Sequence, residues 1–196
     1  MITSSQLIVK RLFDVVLGLV MLPILILPIL LLLVCATIDT RQWGMFSQIR
    51  VGQHGGLFRI YKIRTLRNGP HRLGHLEKSA TRLGVFLRQT KLDELPQLFN
   101  VLKGDMSFVG PRPDVVGFAD RLEGEDRITL KVKPGITGPA TLKYKDEELV
   151  LAKQKDPESY NRTIIWPDKV EINKNYVQTY SFSLDLTCIL KSIYSG

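Results

Sequence analysis

The residues best suited to chemistry lie close together between Thr81 and Pro113. Asp93 and Glu94 are adjacent acids, preceded by Arg88 and Lys91 and followed by Arg112, which stands between Pro111 and Pro113. A carboxylate among cations can act as a nucleophile or metal ligand toward a group whose negative charge the cations neutralise, and phosphates are such groups. The two prolines restrict the backbone on both sides of Arg112. A guanidinium fixed in this way suits a pair of phosphate oxygens. Taken alone, two acids at a helix start need no catalytic role, because the helix macrodipole favours them there. The cations around them are what point to chemistry.

The elements that must position these groups can be read from spacing. Leu83, Phe86 and Leu87 recur at helical intervals, as do Leu95, Leu98, Phe99 and Leu102, and Gly104 fits the residue just past a helix C-terminus. Two helices therefore meet near Leu92. Asp93 reads as the N-cap of the second, with Glu94 in its first turn and Pro96 tolerated there because the early amides are unpaired. Upstream, Leu57 to Thr65 alternates with period 2, which predicts a strand. Phe58, Ile60, Lys62 and Arg64 share one face of it, so one strand end presents two cations; a solvated, charge-protected strand edge is the plainer reading.

His71 and His75 are four residues apart, but Gly69, Pro70 and Gly74 make a helix improbable there, and both read as exposed loop residues rather than metal ligands. Cys35 and Cys188 are far apart and neither belongs to a CxxC pair, which argues against a disulfide framework or a zinc site. No P-loop, GxGxxG or GxSxG occurs. The net charge of +8 calls for a polyanionic partner. Its cations are dispersed among acids instead of clustering with aromatics, which argues against nucleic acid.

From Val15 to Ile38 the chain carries no charge. The run exceeds the roughly 20 residues a helix needs to cross a bilayer. It is long for a signal peptide, and no small-x-small cleavage site follows. Pro23 and Pro28 interrupt it and predict a kink or break. A kinked spanning helix and a helix–break–helix hairpin both fit. Lys10 and Arg11 before the run and Arg41 and Arg50 after it favour the re-entrant hairpin, with both ends on the cytoplasmic side.

Five segments resemble, in order and spacing, the monotopic phosphoglycosyl transferases of the bacterial sugar transferase family. They are Lys10-Arg11-Leu12-Phe13-Asp14, Phe58 to Leu66, Leu92 to Asn100, Val101 to Pro113, and Lys133-Pro134-Gly135-Ile136-Thr137-Gly138. The chain resembles the minimal catalytic unit, without the extra N-terminal membrane helices of longer relatives. The resemblance implies a mostly helical α+β fold: a membrane hairpin over residues 1–39, then a small cytoplasmic catalytic domain over 40–196 with interfacial helices and a short strand region. It implies transfer of a sugar 1-phosphate from a UDP-sugar to polyprenyl (undecaprenyl) phosphate at the bacterial inner membrane, with release of UMP. This is the first membrane step of glycoconjugate synthesis.

On that resemblance Asp93 is the nucleophile that forms an aspartyl phospho-sugar, and Glu94 is its helper. Both are candidate ligands for Mg²⁺, and Lys62, Arg88 and Arg112 hold phosphates. Placement at a helix start is expected to keep Asp93 ionised. The C-terminal stretch from Tyr176 to Ile193 fits either an interfacial helix or a core helix. Three departures from the family pattern bear on specificity. The prolines follow leucines where many relatives have Ser-Pro, Pro139 to Tyr144 replaces a tryptophan- and asparagine-containing continuation, and Asn173 stands where many relatives have aspartate.

Overall fold

The computed structural model describes residues 1–67, 73 and 76–194, so His71 and His75 lie outside the described residues. The chain is mostly helical, with two small sheets. Helix α1 (Ser4–Thr40) opens on a capping box. The Thr3 hydroxyl accepts from the Gln6 amide, and the Gln6 side chain accepts from the Thr3 amide. The helix ends on Arg41 in the left-handed region.

It runs unbroken through Pro23 and Pro28, so the interruption expected at the prolines is not a gap in the helix. Each proline deletes one donor from the ladder. In so apolar a run the remaining amides have no better partners than their own helical carbonyls.

One stripe of α1 faces the rest of the chain. Lys10, Asp14, Gly18, Ile29, Ala36 and Thr40 are separated by four, seven or eleven residues, close to whole helical turns, and are buried. Between Leu12 and Ile38 the opposite side, including Leu12, Val16, Leu19, Ile24, Leu27, Leu31, Val34 and Ile38, is exposed and apolar. Contacts come from both ends. Arg11 donates to the carbonyls of Val101 and Leu102, and Asp14 accepts from the Ser107 hydroxyl and the Phe108 amide. Near the other end Ala36 packs with Ile63 and Leu87, flanked by Leu32 and Leu33.

Strands β1 (Met45–Val51) and β2 (Leu57–Ile63) form an antiparallel hairpin in which Phe46 faces Lys62 and Arg50 faces Phe58. Phe58 and Ile60 are buried as the alternation predicts. Helix α2 (Arg82–Gln89) leads through a single 3₁₀ turn, Leu92–Glu94, into α3 (Gln97–Lys103). Gly104 closes α3 at φ 97°, in the left-handed region that its position past the helix end foretells. The buried Asn100 clamps α3 to β2: its amide nitrogen donates to the Arg59 carbonyl, and its oxygen accepts from the Tyr61 amide.

Strand β3 (Ser107–Val109) pairs in parallel with β4 (Gly135–Thr137). Here the chains touch backbone to backbone. A Cβ on Gly135 would meet the Gly110 nitrogen at 2.1 Å, and one on Gly138 would meet the Gly110 oxygen at 2.3 Å. This close approach, sealed by Gly135 N–H to Pro111 O at 2.8 Å, fixes the backbone immediately before Arg112. Gly135→Ala should therefore overpack the junction and cost about 2 kcal/mol. Thermal unfolding would check this, and an unchanged Tm would mean the strands can part freely.

Helices α4 (Pro139–Lys143), α5 (Glu147–Ala152), α6 (Pro157–Tyr160), α7 (Trp166–Gln178) and α8 (Phe182–Tyr194) complete the chain. The main core gathers Ile2, Val109, Val132, Tyr176, Val177 and Cys188. Helix α8 is divided between the two readings its sequence left open. Asp185 and Cys188 are buried, while Leu190, Ile193 and Tyr194 are exposed.

Candidate active site

The acid pair lies in the 3₁₀ turn between α2 and α3. Asp93 is not the N-cap of α3, because Pro96 takes that position and Lys91, at φ 58°, starts the turn instead. The proline supplies a helical φ one residue before α3, which moves the helix start downstream of both acids.

Glu94 is held by two of the three cations expected around it. Lys62 Nζ donates to Oε1 at 2.8 Å and Arg112 donates to the same oxygen at 2.6 Å, with a longer contact of 3.5 Å to Oε2. Burial alone would raise the Glu94 carboxyl, but Arg112 and Lys62 together hold it far below the usual carboxylate range. The same Glu94 raises Arg112. Lys62 is pushed down by burial and partly restored by Glu94.

Asp93 is only 5% exposed and makes no hydrogen bond among the described residues. Burial pushes its carboxyl up, Lys62 opposes this, and Glu94 reinforces it. The helix-start argument for ionisation is therefore reversed. The 3₁₀ turn is too short to set up a sizeable dipole, and loss of water dominates.

Arg88 takes a different partner, donating to Glu148 Oε2 of α5 at 2.5 Å. Glu148 also accepts from the Leu76 amide. Arg64, the second cation of the expected strand face, donates to the Trp43 carbonyl and lies over the Phe46 ring, away from the acids.

A cleft of about 630 Å³ opens beside the turn. Met21 and Leu25 of α1 join Leu95, Leu98, Phe108 and Ile136 in its apolar wall, and Arg88, Lys91, Glu94, Arg112 and Lys169 supply its charges. Asp93 is not part of that wall. Several lining groups carried no signal in the sequence. Lys169 pairs with Glu147 at 2.6 Å, and Tyr144 donates to Asp168 at 2.7 Å. They come from α4, α5 and α7, and only tertiary packing brings them to the acid pair.

Asp114 also lines the cleft, beside Arg112. Burial pushes its carboxyl up to about 7, against the pull of Lys169, Arg50 and Arg112. A folded-state carboxyl that binds its proton more tightly than the ordinary 3.8 costs stability as pH rises from there toward 7. Asp114→Asn removes that loss. Its Tm should rise relative to the parent protein between roughly pH 4 and pH 7, and a difference that stays flat across that range would count against the burial of this carboxyl.

As arranged, the pair fits Mg²⁺. Among the described residues no cluster of three or more acid, histidine or cysteine ligands occurs. Mg²⁺ commonly takes one or two protein carboxylates and completes its shell with phosphate oxygens and water. Asp93 is free of hydrogen bonds, and Glu94 Oε2 has only its long contact with Arg112, so both retain lone pairs for a metal.

A cleft with cations at one end and an apolar wall shared with α1 accommodates a molecule with an anionic head and an apolar body. Among the described residues α1 is the one helix long and apolar enough to cross a membrane. A carboxylate pair among cations beside such a cleft is suited to group transfer on anionic substrates.

The comparisons narrow the class. A family model described as bacterial sugar transferase matches residues 5–196, and the chain belongs to that family. It is therefore a transferase. It is 33% identical over 190 residues to the sugar transferase EpsL of Bacillus subtilis, covering 95% of this chain and 86% of that one. It is 32% identical to the UDP-N-acetylgalactosamine-undecaprenyl-phosphate N-acetylgalactosaminephosphotransferase of Aeromonas hydrophila, covering 94% of this chain and 43% of that one. It is 34% identical to the UDP-glucose:undecaprenyl-phosphate glucose-1-phosphate transferase of Klebsiella pneumoniae, covering all of this chain and 41% of the relative. The last two carry different sugars in their names.

Proposed function

We propose that the protein transfers a sugar 1-phosphate from a UDP-sugar to undecaprenyl phosphate, with release of UMP, at the cytoplasmic face of the bacterial inner membrane. The observation that carries this reading is Glu94, held by Lys62 and Arg112 and adjacent to the buried Asp93, opening on a cleft whose apolar wall includes Met21 and Leu25 of the apolar helix. The matches to undecaprenyl-phosphate sugar phosphotransferases support it.

The donor's diphosphate takes the hydrogen bonds that Lys62 and Arg112 now give to Glu94, because it offers them more negative charge than one carboxylate does. With Glu94 released, the path to Asp93 opens. An Asp93 oxygen attacks the β-phosphorus, the bond from that phosphorus to the bridging oxygen breaks, and UMP leaves with the electron pair. A phosphate oxygen of the acceptor then attacks the phosphorus of the aspartyl phospho-sugar. The Asp93–phosphorus bond breaks, regenerating the carboxylate and yielding polyprenyl diphospho-sugar. Neither attack requires a proton to be removed from the nucleophile. Mg²⁺ held by Asp93 and Glu94 would neutralise phosphate charge. Desolvation of Asp93 raises its reactivity once the cations have drawn it into the ionised form.

The first 39 residues serve as the membrane segment, and residues 40–196 carry the chemistry. Contacts at both ends of α1 with one and the same body support a re-entrant course. A straight membrane crossing would carry one end away from it.

The test is UMP release from a panel of UDP-sugars with undecaprenyl phosphate in detergent or nanodiscs, with Mg²⁺ and with EDTA. Release that needs the lipid and stops with EDTA is expected for at least one donor. Silence across the panel, or lipid-independent release, would overturn the reading.

A further inference from the structure

The acid pair and its cations account for the phosphates of the donor, and they leave unused a second set of polar groups in the same cleft. Asn173 and Thr141 both line it, and Asn173 Oδ1 and Thr141 Oγ1 are enclosed without any hydrogen-bond partner. Asn173 is 7% exposed. A buried polar atom left unpaired costs about 1–3 kcal/mol, so two of them on side chains that line one cavity point to a ligand that pairs them. Asp114 lies in the same wall, and its carboxylate makes no hydrogen bond among the described residues. Trp166 lines the wall as well. It stands seven residues before Asn173 on α7, so the two side chains share one helix face two turns apart. The cleft cations Arg88, Arg112 and Lys169, by contrast, are each matched to an acid.

An indole face, an amide, a hydroxyl and a carboxylate are the groups that recognise a sugar: the ring's C–H face lies on the aromatic and its hydroxyls pair with the rest. They are unsuited to a second phosphate, since Asp114 would repel it. They are equally unsuited to a polyprenyl chain, which would leave them unpaired.

We propose that Trp166, Asn173, Thr141 and Asp114 form the subsite that seats the sugar ring of the donor, and that Asn173 and Thr141 decide which sugar is accepted. This rests on the reading of the protein as a UDP-sugar transferase.

The experiment is kcat/KM for UMP release with UDP-glucose, UDP-galactose, UDP-N-acetylglucosamine and UDP-N-acetylgalactosamine, for the parent protein, Asn173→Ala, Asn173→Asp and Thr141→Val. A site built to hydrogen-bond a substrate group discriminates strongly against donors that lack it. The ratio between the best and second-best donor should fall by about tenfold or more in Asn173→Ala and in Thr141→Val. The KM for undecaprenyl phosphate should stay unchanged. Thr141→Val is nearly isosteric and carries the test if Asn173→Ala lowers thermal stability. Equal loss for every donor, or an unaltered preference order and ratio, would overturn the subsite while leaving the transferase reading intact. If the parent protein releases UMP from no donor, the transferase reading falls and the subsite with it.

Discussion

Asp93→Asn should abolish UMP release, by about 10⁴-fold or more, as removal of a covalent nucleophile does in other enzymes. The same variant should keep its fold. The substitution is isosteric, and Asp93 makes no hydrogen bond among the described residues that an amide would disturb. It also replaces a carboxyl that burial already disfavours in its charged form. Stability should therefore be equal or higher, while activity vanishes. This divergence is the signature of a group selected for reactivity and not for packing. Intact-mass measurement after incubation with the donor alone adds a second readout: the parent protein should gain the mass of a sugar phosphate, and Asp93→Asn should not. Residual activity within tenfold of the parent would remove the aspartyl intermediate from the mechanism and leave direct attack by the acceptor phosphate.

The contrast between the two acids has a simple electrostatic origin. Glu94 sits between Lys62 and Arg112 and is stabilised as an anion, which suits it to hold position or a metal and makes it a poor nucleophile. Asp93 is one residue away without a hydrogen-bonded cation, and it is held up by burial and by the charge of Glu94 itself. Adjacent carboxyls driven in opposite directions are a recurring basis for division of labour.

That pairing of roles was only half legible in the sequence. The helical spacing up to Gly104 bracketed the acid turn, and the period-2 alternation put Phe58, Ile60 and Lys62 on one strand face, but only the family resemblance linked Lys62 to the acids. Local patterns could not place Arg88, because its partner Glu148 is 60 residues away on a helix without a strong periodic signal. The N-cap reading of Asp93 failed because it weighed residue type over the proline that delays α3. The hairpin expectation used Lys10 and Arg11 as free flanking charges. Both are consumed in packing, Arg11 on the C-terminal carbonyls of α3 and Lys10 on Asp185. Both ends of α1 instead contact one and the same body. Asn173 and the Pro139 to Tyr144 segment stood out in the sequence only as departures from the family pattern, and it took the fold to bring Thr141 and Asn173 to one wall.

Lys10 itself carries the largest expected effect on stability. Its ammonium lies 2.5 Å from Asp185 Oδ2, with side-chain exposures of 5% and 1%. The same carboxylate accepts from the hydroxyls of Tyr176 at 2.7 Å and Tyr180 at 3.2 Å. Burial and the negative charge of Asp185 raise both phenols, so they remain donors at any pH the protein meets. One carboxylate thus joins the first turns of the apolar helix to α7 and α8. Lys10→Met keeps the volume of the stem but strands the carboxylate with two neutral donors, a change that typically costs 3–5 kcal/mol in roughly comparable buried pairs. Thermal unfolding in nanodiscs should show the loss. The double variant Lys10→Met, Asp185→Asn should recover most of it, because a neutral amide oxygen still accepts from Tyr176 and leaves no charge unpaired. If the single variant unfolds within about 1 kcal/mol of the parent, water must reach the pair, and the N-terminal turns of α1 would then be held to the domain by contacts such as those of Leu7, Arg11, Phe13 and Asp14.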